Sequence, residues 1–256
     1  MTPSPLSAAV IIIGNEVLSG KVNDENTPFL TAELRTLGVR LSRVVVLEDD
    51  VTEIAEEIRR CSQRYDWVFT TGGLGPTHDD RTMEAVAAAF DCDLIQSPEL
   101  LKALDNIRKG KQRSALERLT WIPEQAQLFW SEAKGQGWPT VFVKNVYIFP
   151  GVPQFLRSKF ARLRKQLRAA PFITGWMYCA PRESELVESI NAVDHAFEDV
   201  ELGSYPQFGD SDHRVRITFD SSNRARIIAA MDQFRRLITP EAVVRERIDD
   251  ATPETV

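Results

Sequence analysis

Two hydrophobic periods alternate along the first ninety residues. Ala8 to Ile13 is an unbroken apolar run, the pattern of a strand covered on both faces. Asn26 to Leu37 then sets Phe29, Leu30, Leu34 and Leu37 on one helical stripe, with Gly38 placed as its stop. Leu41 to Leu47 predicts a second strand. Thr52 is the expected cap of a helix carrying Ile54, Ala55, Ile58 and Cys61. Tyr65 to Thr70 predicts a third strand that feeds a glycine-rich loop, and Thr82 to Phe90 continues as helix. Such a βαβαβα series calls for a largely parallel sheet with helices on both faces. Ligands of such sheets sit beyond the carboxyl ends of the strands.

The pattern changes after Phe90. Ser97 to Arg118 reads as a charged helix, Leu119 to Trp130 as extended chain and Glu132 to Pro139 as a loop. Thr140 to Phe149 is one strongly β-forming stretch, closed by Pro150-Gly151-Val152-Pro153, and a helix with Leu156, Phe160, Leu163 and Leu167 on one side follows. Pro171 marks the expected domain boundary. Beyond it lies a small α+β unit: strands at Phe172 to Cys179, Val200 to Tyr205 and Arg214 to Phe219, helices at Glu183 to Phe197 and Arg224 to Ile238. The expected division is 1–170, 171–250 and a frayed tail at 251–256.

Composition narrows the functional classes. Hydrophobic content of 43% and charged content of 27% are ordinary for a globular chain of 256 residues. A net charge of −6 argues against general attraction to nucleic acid or an anionic membrane. Cys61, Cys92 and Cys179 lie far apart and match neither a zinc pattern nor a disulfide framework, so a reduced, cytoplasmic compartment is expected. The run at Ala8 to Ile13 is too short for a signal core, and no segment is expected to span a membrane.

Candidate chemistry concentrates at Thr70-Thr71-Gly72-Gly73-Leu74-Gly75-Pro76-Thr77-His78-Asp79-Asp80. Glycines let backbone N–H groups approach an anion, and a helix N-terminus adds positive partial charge. Such a loop suits phosphate. Asp79 and Asp80 do not, unless a divalent cation lies between carboxylate and phosphate. No Gly-Lys-Ser/Thr follows, and Pro76 breaks a dinucleotide fingerprint. A tight turn capped by one aspartate would explain neither the second aspartate nor the three glycines. Gly14-Asn15-Glu16-Val17-Leu18-Ser19-Gly20, with Asp24 and Asn26 beyond, follows strand one and should line the same crevice. Glu16 and Asp24 could hold a cation or accept ribose hydroxyls; Asp24 could equally cap the helix from Asn26. Glu48, Asp49 and Asp50 follow strand two, where helix-capping is the plainer role, with Asp49 kept as a candidate. His78 could touch a ligand; His195 reads as structural and His213 as part of a solvated turn. No Ser/His/Asp or Cys/His arrangement can be argued.

Together, Gly14-Asn15-Glu16, Asp24 with Asn26, Thr71 through Asp80 and Phe149-Pro150-Gly151-Val152-Pro153 resemble the CinA-type family. That family includes the molybdopterin-binding-like domain of bacterial competence/damage-inducible proteins and of eukaryotic FAD synthases. The resemblance covers residues 8 to about 170, and extends more loosely through Ser184-Glu185 and Gly203-Ser204-Tyr205-Pro206. It implies a three-layer α/β/α fold with a mostly parallel sheet, a small α+β appendage and a homodimer. It also implies metal-dependent pyrophosphatase activity, on ADP-ribose in bacterial members and on FAD in synthase-linked ones, with functional carboxylates at Asp49 and Asp80. The amidase domain of the bacterial proteins is not expected within these residues, so amidase activity is not carried over. Gln112-Arg113-Ser114-Ala115 and Gly135-Gln136-Gly137-Trp138-Pro139 depart from the bacterial pattern, and Val143 to Phe149 looks more like the synthase-linked branch.

The expected site therefore comprises Asp79, Asp80 and Asp49 as catalytic residues. Its ligand-binding residues are Gly14, Glu16, Asp24, Asn26, Thr71, Gly72, Gly73, Leu74, Gly75, Pro76, Thr77 and Gly151. Asp79, Asp80 and Glu16 would hold a divalent cation, Mg²⁺ or Co²⁺, with K⁺ as a further candidate. Lys144 or Arg81 would neutralise the leaving phosphate. The expected ligand is a small nucleotide or pterin. The alternatives are a binding module without turnover and a pterin-cofactor enzyme that transfers a nucleotidyl group.

Overall fold

The strand order follows from which runs are apolar on both faces and which on one. A computed structural model describes residues 6–107, 116–130, 137–167, 171–209 and 212–250. The tail at 251–256 and parts of the expected charged helix (108–115) and loop (131–136) lie outside the described residues. The chain divides into two compact units, Met1–Leu34 with Val39–Ala169 and Arg35–Gly38 with Ala170–Val256.

The first unit runs β1 (Leu6–Ile13), α1 (Asn15–Leu18), α2 (Asn26–Thr36), β2 (Val39–Leu47), α3 (Val51–Arg64), β3 (Trp67–Thr71) and α4 (Thr82–Ala89). It continues through β4 (Leu94–Gln96), α5 (Pro98–Ile107), β5 (Trp121–Pro123), β6 (Gln127–Phe129), β7 (Thr140–Val143), β8 (Val146–Phe149) and α6 (Pro153–Leu163). Six strands form one sheet in the order β2-β1-β3-β8-β7-β6. The first four are parallel, and β7 and β6 add antiparallel. Alternate residues feed two cores. Ala9, Ile11, Ile13, Val68 and Ile148 join Ile54 and Ile58 of α3, Val86 of α4 and Leu100 of α5. Phe69 and Phe149 point the other way, where their rings meet Phe160 of α6, which in turn meets Phe29 of α2. The unit is thus a three-layer α/β/α sandwich around a mostly parallel sheet.

Two local expectations are corrected. Asp50, not Thr52, caps α3: its carboxylate accepts hydrogen bonds from Thr52 N at 2.9 Å and Glu53 N at 3.0 Å. An acceptor one position before the first helical turn reaches the two orphan amides, whereas Thr52 already lies inside the helix. The stretch Thr140 to Phe149 is a hairpin, not one strand. It turns at Lys144, which takes a positive φ of 52°, and Asn145. The Asn145 amide nitrogen donates to Ser62 O at 3.0 Å and Tyr65 O at 2.8 Å, tying the turn to the α3–β3 connection. No glycine or proline marks this turn, so uniform β propensity concealed it.

The second unit runs β9 (Ile173–Cys179), α7 (Glu183–Ala196), β10 (Glu201–Pro206), β11 (Val215–Ser221), α8 (Arg224–Leu237) and β12 (Val243–Asp250). Its sheet is antiparallel throughout, in the order β10-β11-β9-β12. Met177, Cys179, Val215, Ile217 and Phe219 pack one face against Leu186, Val193, Ile227 and Phe234 of the two helices. The strand β12 was not foreseen, because Val243–Asp250 is mostly charged. As an edge strand it needs only a partial apolar side, which Ile248 supplies by joining that core. His213 is a second correction here. Instead of lying in a solvated turn it is 9% exposed and meets the Tyr178 ring edge-on at 4.9 Å. Among the described residues no helix is long and apolar enough to cross a membrane.

Asp50→Ala should lower stability in urea by about 1 kcal/mol, the usual loss for an N-cap carboxylate, while Thr52→Ala should cost distinctly less. Equal losses, read from unfolding midpoints, would return the cap to Thr52.

Candidate functional site

The chain leaves β1 for β2 on one side and later places β3 on the other, so the order of strands reverses at β1. In a sheet wound this way the carboxyl ends of β1 and β3 flank a crevice. The loops after both strands, and the one after β8, meet there. Gly72 has a φ of 97°, and a Cβ built on it would lie 1.9 Å from the Ile13 carbonyl oxygen. Its N–H donates to Phe149 O at 3.3 Å, and a Cβ on Gly151 would come within 3.3 Å of the Gly72 Cα. Asn26 braces the junction: its amide nitrogen donates to Thr71 Oγ1 at 2.8 Å and to Gly151 O at 2.7 Å. Asn26 is buried, and its Oδ1 accepts no hydrogen bond among the described residues.

The glycine loop is held from inside by Asp80. The carboxylate Oδ2 accepts from Thr77 N at 2.8 Å and from the Thr77 hydroxyl, and stands 2.5 Å from a Cβ built on Gly75. Thr82 Oγ1 donates to Gly72 O at 2.9 Å and stands within 2.4 Å of a Cβ built on Gly73. These contacts sort the loop amides. Gly72 N and Thr77 N are already engaged. The N–H groups of Gly73, Leu74 and Gly75 have no acceptor among the described residues, so they are the ones able to receive an anion.

The other carboxylates separate by role. Asp24 Oδ1 accepts from Asn26 N at 2.9 Å and Thr27 N at 3.0 Å, the capping alternative for this residue. Asp49 Oδ2 accepts from Asn15 N at 3.0 Å and so joins the end of β2 to the loop after β1. Glu16 folds back over Gly14, its carboxylate 2.5 Å from a Cβ built there. Asp79 projects outward beside an almost fully exposed His78. No group of three or more His, Cys, Asp or Glu is gathered to hold a metal ion among the described residues. A cation here would rest on one or two carboxylates and complete its shell with ligand phosphate and water, the usual habit of Mg²⁺. Asp80 and Asp49 fit that habit, since each leaves its Oδ1 without a hydrogen-bond partner among the described residues.

Sequence reasoning missed Arg118. Its guanidinium donates to Thr77 O at 2.9 Å, Asp80 O at 3.0 Å and Glu84 Oε1 at 3.0 Å, clamping the loop from outside. It also lines, with Leu74, Met83, Leu94 and Trp121, a cavity of about 150 Å³ beside Gly73 and Gly75. It stands 38 residues from Asp80 in a charged stretch, and no local pattern marks it. Lys144 is excluded from the phosphate role. It precedes Val146, which pairs with Val68, at the end of the sheet opposite the glycine loop, and its ammonium stacks on Phe90 at 4.7 Å. Arg81 pairs with Glu84 at 3.1 Å.

Residues 9–169 match the family model described as "Probable molybdopterin binding domain". The chain belongs to this molybdopterin-binding-domain family. Residues 171–247 match a second model, described as "FAD synthase, middle domain". A protein of Archaeoglobus fulgidus is 31% identical over 229 residues, covering 90% of this chain and 96% of that one. A Caenorhabditis elegans protein described as "Probable FAD synthase" is 31% identical over 269 residues, covering 94% of this chain and 51% of that protein. The molybdopterin-binding-type chain thus spans about half the length of that relative. The solved structure of the protein CinA from Thermoplasma acidophilum, described there as of unknown function, is 28% identical with a TM-score of 0.56. It covers 64% of this chain and 99% of that one.

Gly72→Ala should destabilise the first unit by more than about 2 kcal/mol, because the new Cβ meets backbone that cannot yield. Gly20→Ala, also at positive φ but in open space, should cost about 1 kcal/mol. Urea midpoints that fail to separate the two would refute the close approach.

Proposed function

We propose that this chain hydrolyses a nucleotide diphosphate linkage of the ADP-ribose or FAD kind with the help of a divalent cation. The observation that carries the proposal is the pairing of unengaged amides at Gly73, Leu74 and Gly75 with half-engaged carboxylates at Asp80 and Asp49. The amides would hold one phosphate. Asp80 and Asp49, with Glu16 as a further ligand, would hold Mg²⁺ or Co²⁺, which when bound neutralises phosphate charge and lowers the pKa of a bound water. Thr77 keeps Asp80 oriented, and Arg118 keeps the loop backbone in place. Asp79, further out, contributes field more than contact. Similarity to a protein described as "Probable FAD synthase" supports a nucleotide-type ligand.

One observation favours a second reading, a nucleotide- or pterin-binding protein without turnover: no three-membered acidic cluster forms among the described residues. Amide cradles bind phosphate whether or not chemistry follows. The homodimer belongs to the same proposal, and light scattering at micromolar protein reads it directly.

The deciding assay follows AMP release from ADP-ribose and FAD, with and without Mg²⁺ and Co²⁺. Turnover should depend on the cation and fall at least about a hundredfold in Asp80→Asn, the scale set by loss of one preorganised electrostatic contact. Wild-type turnover in that variant would sink the site assignment. Tight binding with no AMP release in any arm would establish the non-catalytic reading.

A further inference from the structure

The cavity beside the glycine loop owes its outer wall to strand alternation. Ile122 of β5 turns into the core of the first unit and is 4% exposed, so Trp121 turns the other way and is 43% exposed. Pairing with β4 sets Gln96 opposite Trp121 and Leu94 opposite Pro123, which puts Leu94 and Trp121 on one side of the ribbon. Both line the cavity, together with Leu74 of the loop and Met83 of α4. The indole face is open. Trp67 meets the Tyr147 ring, and Trp176 lies under the Arg216 and Arg247 guanidinium groups. Trp121 stacks on no ring or guanidinium among the described residues.

The polar groups of the cavity favour a ring over a second phosphate. Glu84 sits between two cations: Oε1 accepts from Arg118 at 3.0 Å and Oε2 from Arg81 at 3.1 Å. Arg118 is also engaged by Thr77 O and Asp80 O. A phosphate placed here would meet the carboxylates of Glu84 and Asp80, whereas an uncharged base meets apolar side chains and an indole face. Each Glu84 oxygen accepts one hydrogen bond among the described residues and has capacity for another, so the carboxylate can take an N–H donor from a ligand. It repels a ring carbonyl. Size narrows the ring further. About 150 Å³ is the scale of an engineered core cavity that takes up benzene. With Trp121 at an exposed rim this one admits a purine, while the three fused rings of a flavin exceed it.

We infer that this cavity holds the base of an adenine nucleotide, the ring stacked on Trp121 and its amino group donating to Glu84. The inference rests on the phosphate site proposed above, since Gly73 and Gly75 contribute both unengaged amides and cavity wall. A nucleotide bridging the two sets its phosphate on the amides and its base against Leu74, Met83, Leu94 and the indole, an apolar pocket with one polar selector. Stacking alone does not discriminate, because every base has a π face; the carboxylate supplies the choice. Trp121 is thus the residue that holds the base, and Glu84 the one that selects it. The adenosine half is what ADP-ribose and FAD have in common, and the flavin of FAD stays outside the cavity.

Calorimetric titration of the full chain in Mg²⁺ tests this with AMP, IMP, ribose 5-phosphate and riboflavin 5′-phosphate, none of which contains a diphosphate linkage. AMP should bind at least about fivefold more tightly than ribose 5-phosphate, the lower end for one stacked base. IMP presents a carbonyl where AMP presents the amino group, and should bind at least about tenfold more weakly than AMP, one hydrogen bond to a charged group. Riboflavin 5′-phosphate should gain nothing over ribose 5-phosphate. Trp121→Ala should abolish the AMP advantage while ribose 5-phosphate binds it as it binds the wild type, and Trp121→Phe should restore most of that advantage. The inference is overturned if any of the other three probes matches AMP, or if Trp121→Ala keeps the advantage. Failure of every probe to bind overturns it together with the phosphate site. AMP bound with these preferences, but never released from ADP-ribose or FAD, leaves the base site standing and refutes hydrolysis alone.

Discussion

The first unit is organised around one close approach, that of Gly72 to the carbonyl of Ile13. No side chain fits between them, so the loop after β3 lies directly on the end of β1. Everything that makes a crevice follows. Asn26 can then span from Thr71 to Gly151, drawing in the loop after β8. Thr82 can bond back to Gly72 O, which sets where α4 begins. The contact also requires a positive φ that residues with side chains adopt only at a cost.

Given that constraint, the chemistry becomes a matter of which groups remain unengaged. Asp80 has an inward duty, holding Thr77, and Asp49 holds Asn15. Each carboxylate is thereby oriented by backbone N–H groups while retaining a second oxygen. Amides sort the same way: those at the two ends of the loop serve the fold, and those in its middle do not. A loop that both shapes itself and offers donors suits an anion better than a loop that does only one.

The second unit applies a different logic. Its sheet is antiparallel and packs one face against its two helices, so alternate residues face different surroundings. The inner set is apolar. The outer set interleaves arginines with aromatic rings across neighbouring strands.

Much of this was legible in the sequence, and the physical reasons divide cleanly. Period-two and period-3.6 patterning is a local property, so β1, α2, α3, β3, α4 and the elements of the second unit up to α8 were readable, as was the glycine loop whose backbone demands are written in residue type. Where local propensity is uniform or overridden, reading failed: the hairpin turn at Lys144 hides in β-forming residues, and the charged β12 forms only because β9 offers it an edge. The amino-acid sequence alone therefore determined the alternation of elements, the family and the place of the glycine loop. Only the tertiary structure decided that Arg118 clamps that loop, that Lys144 lies at the wrong end of the sheet, that Asp24 serves as a cap, and that arginines and rings from four strands share one face. Each of those depends on residues far apart in the chain meeting through strand register, which no local pattern encodes.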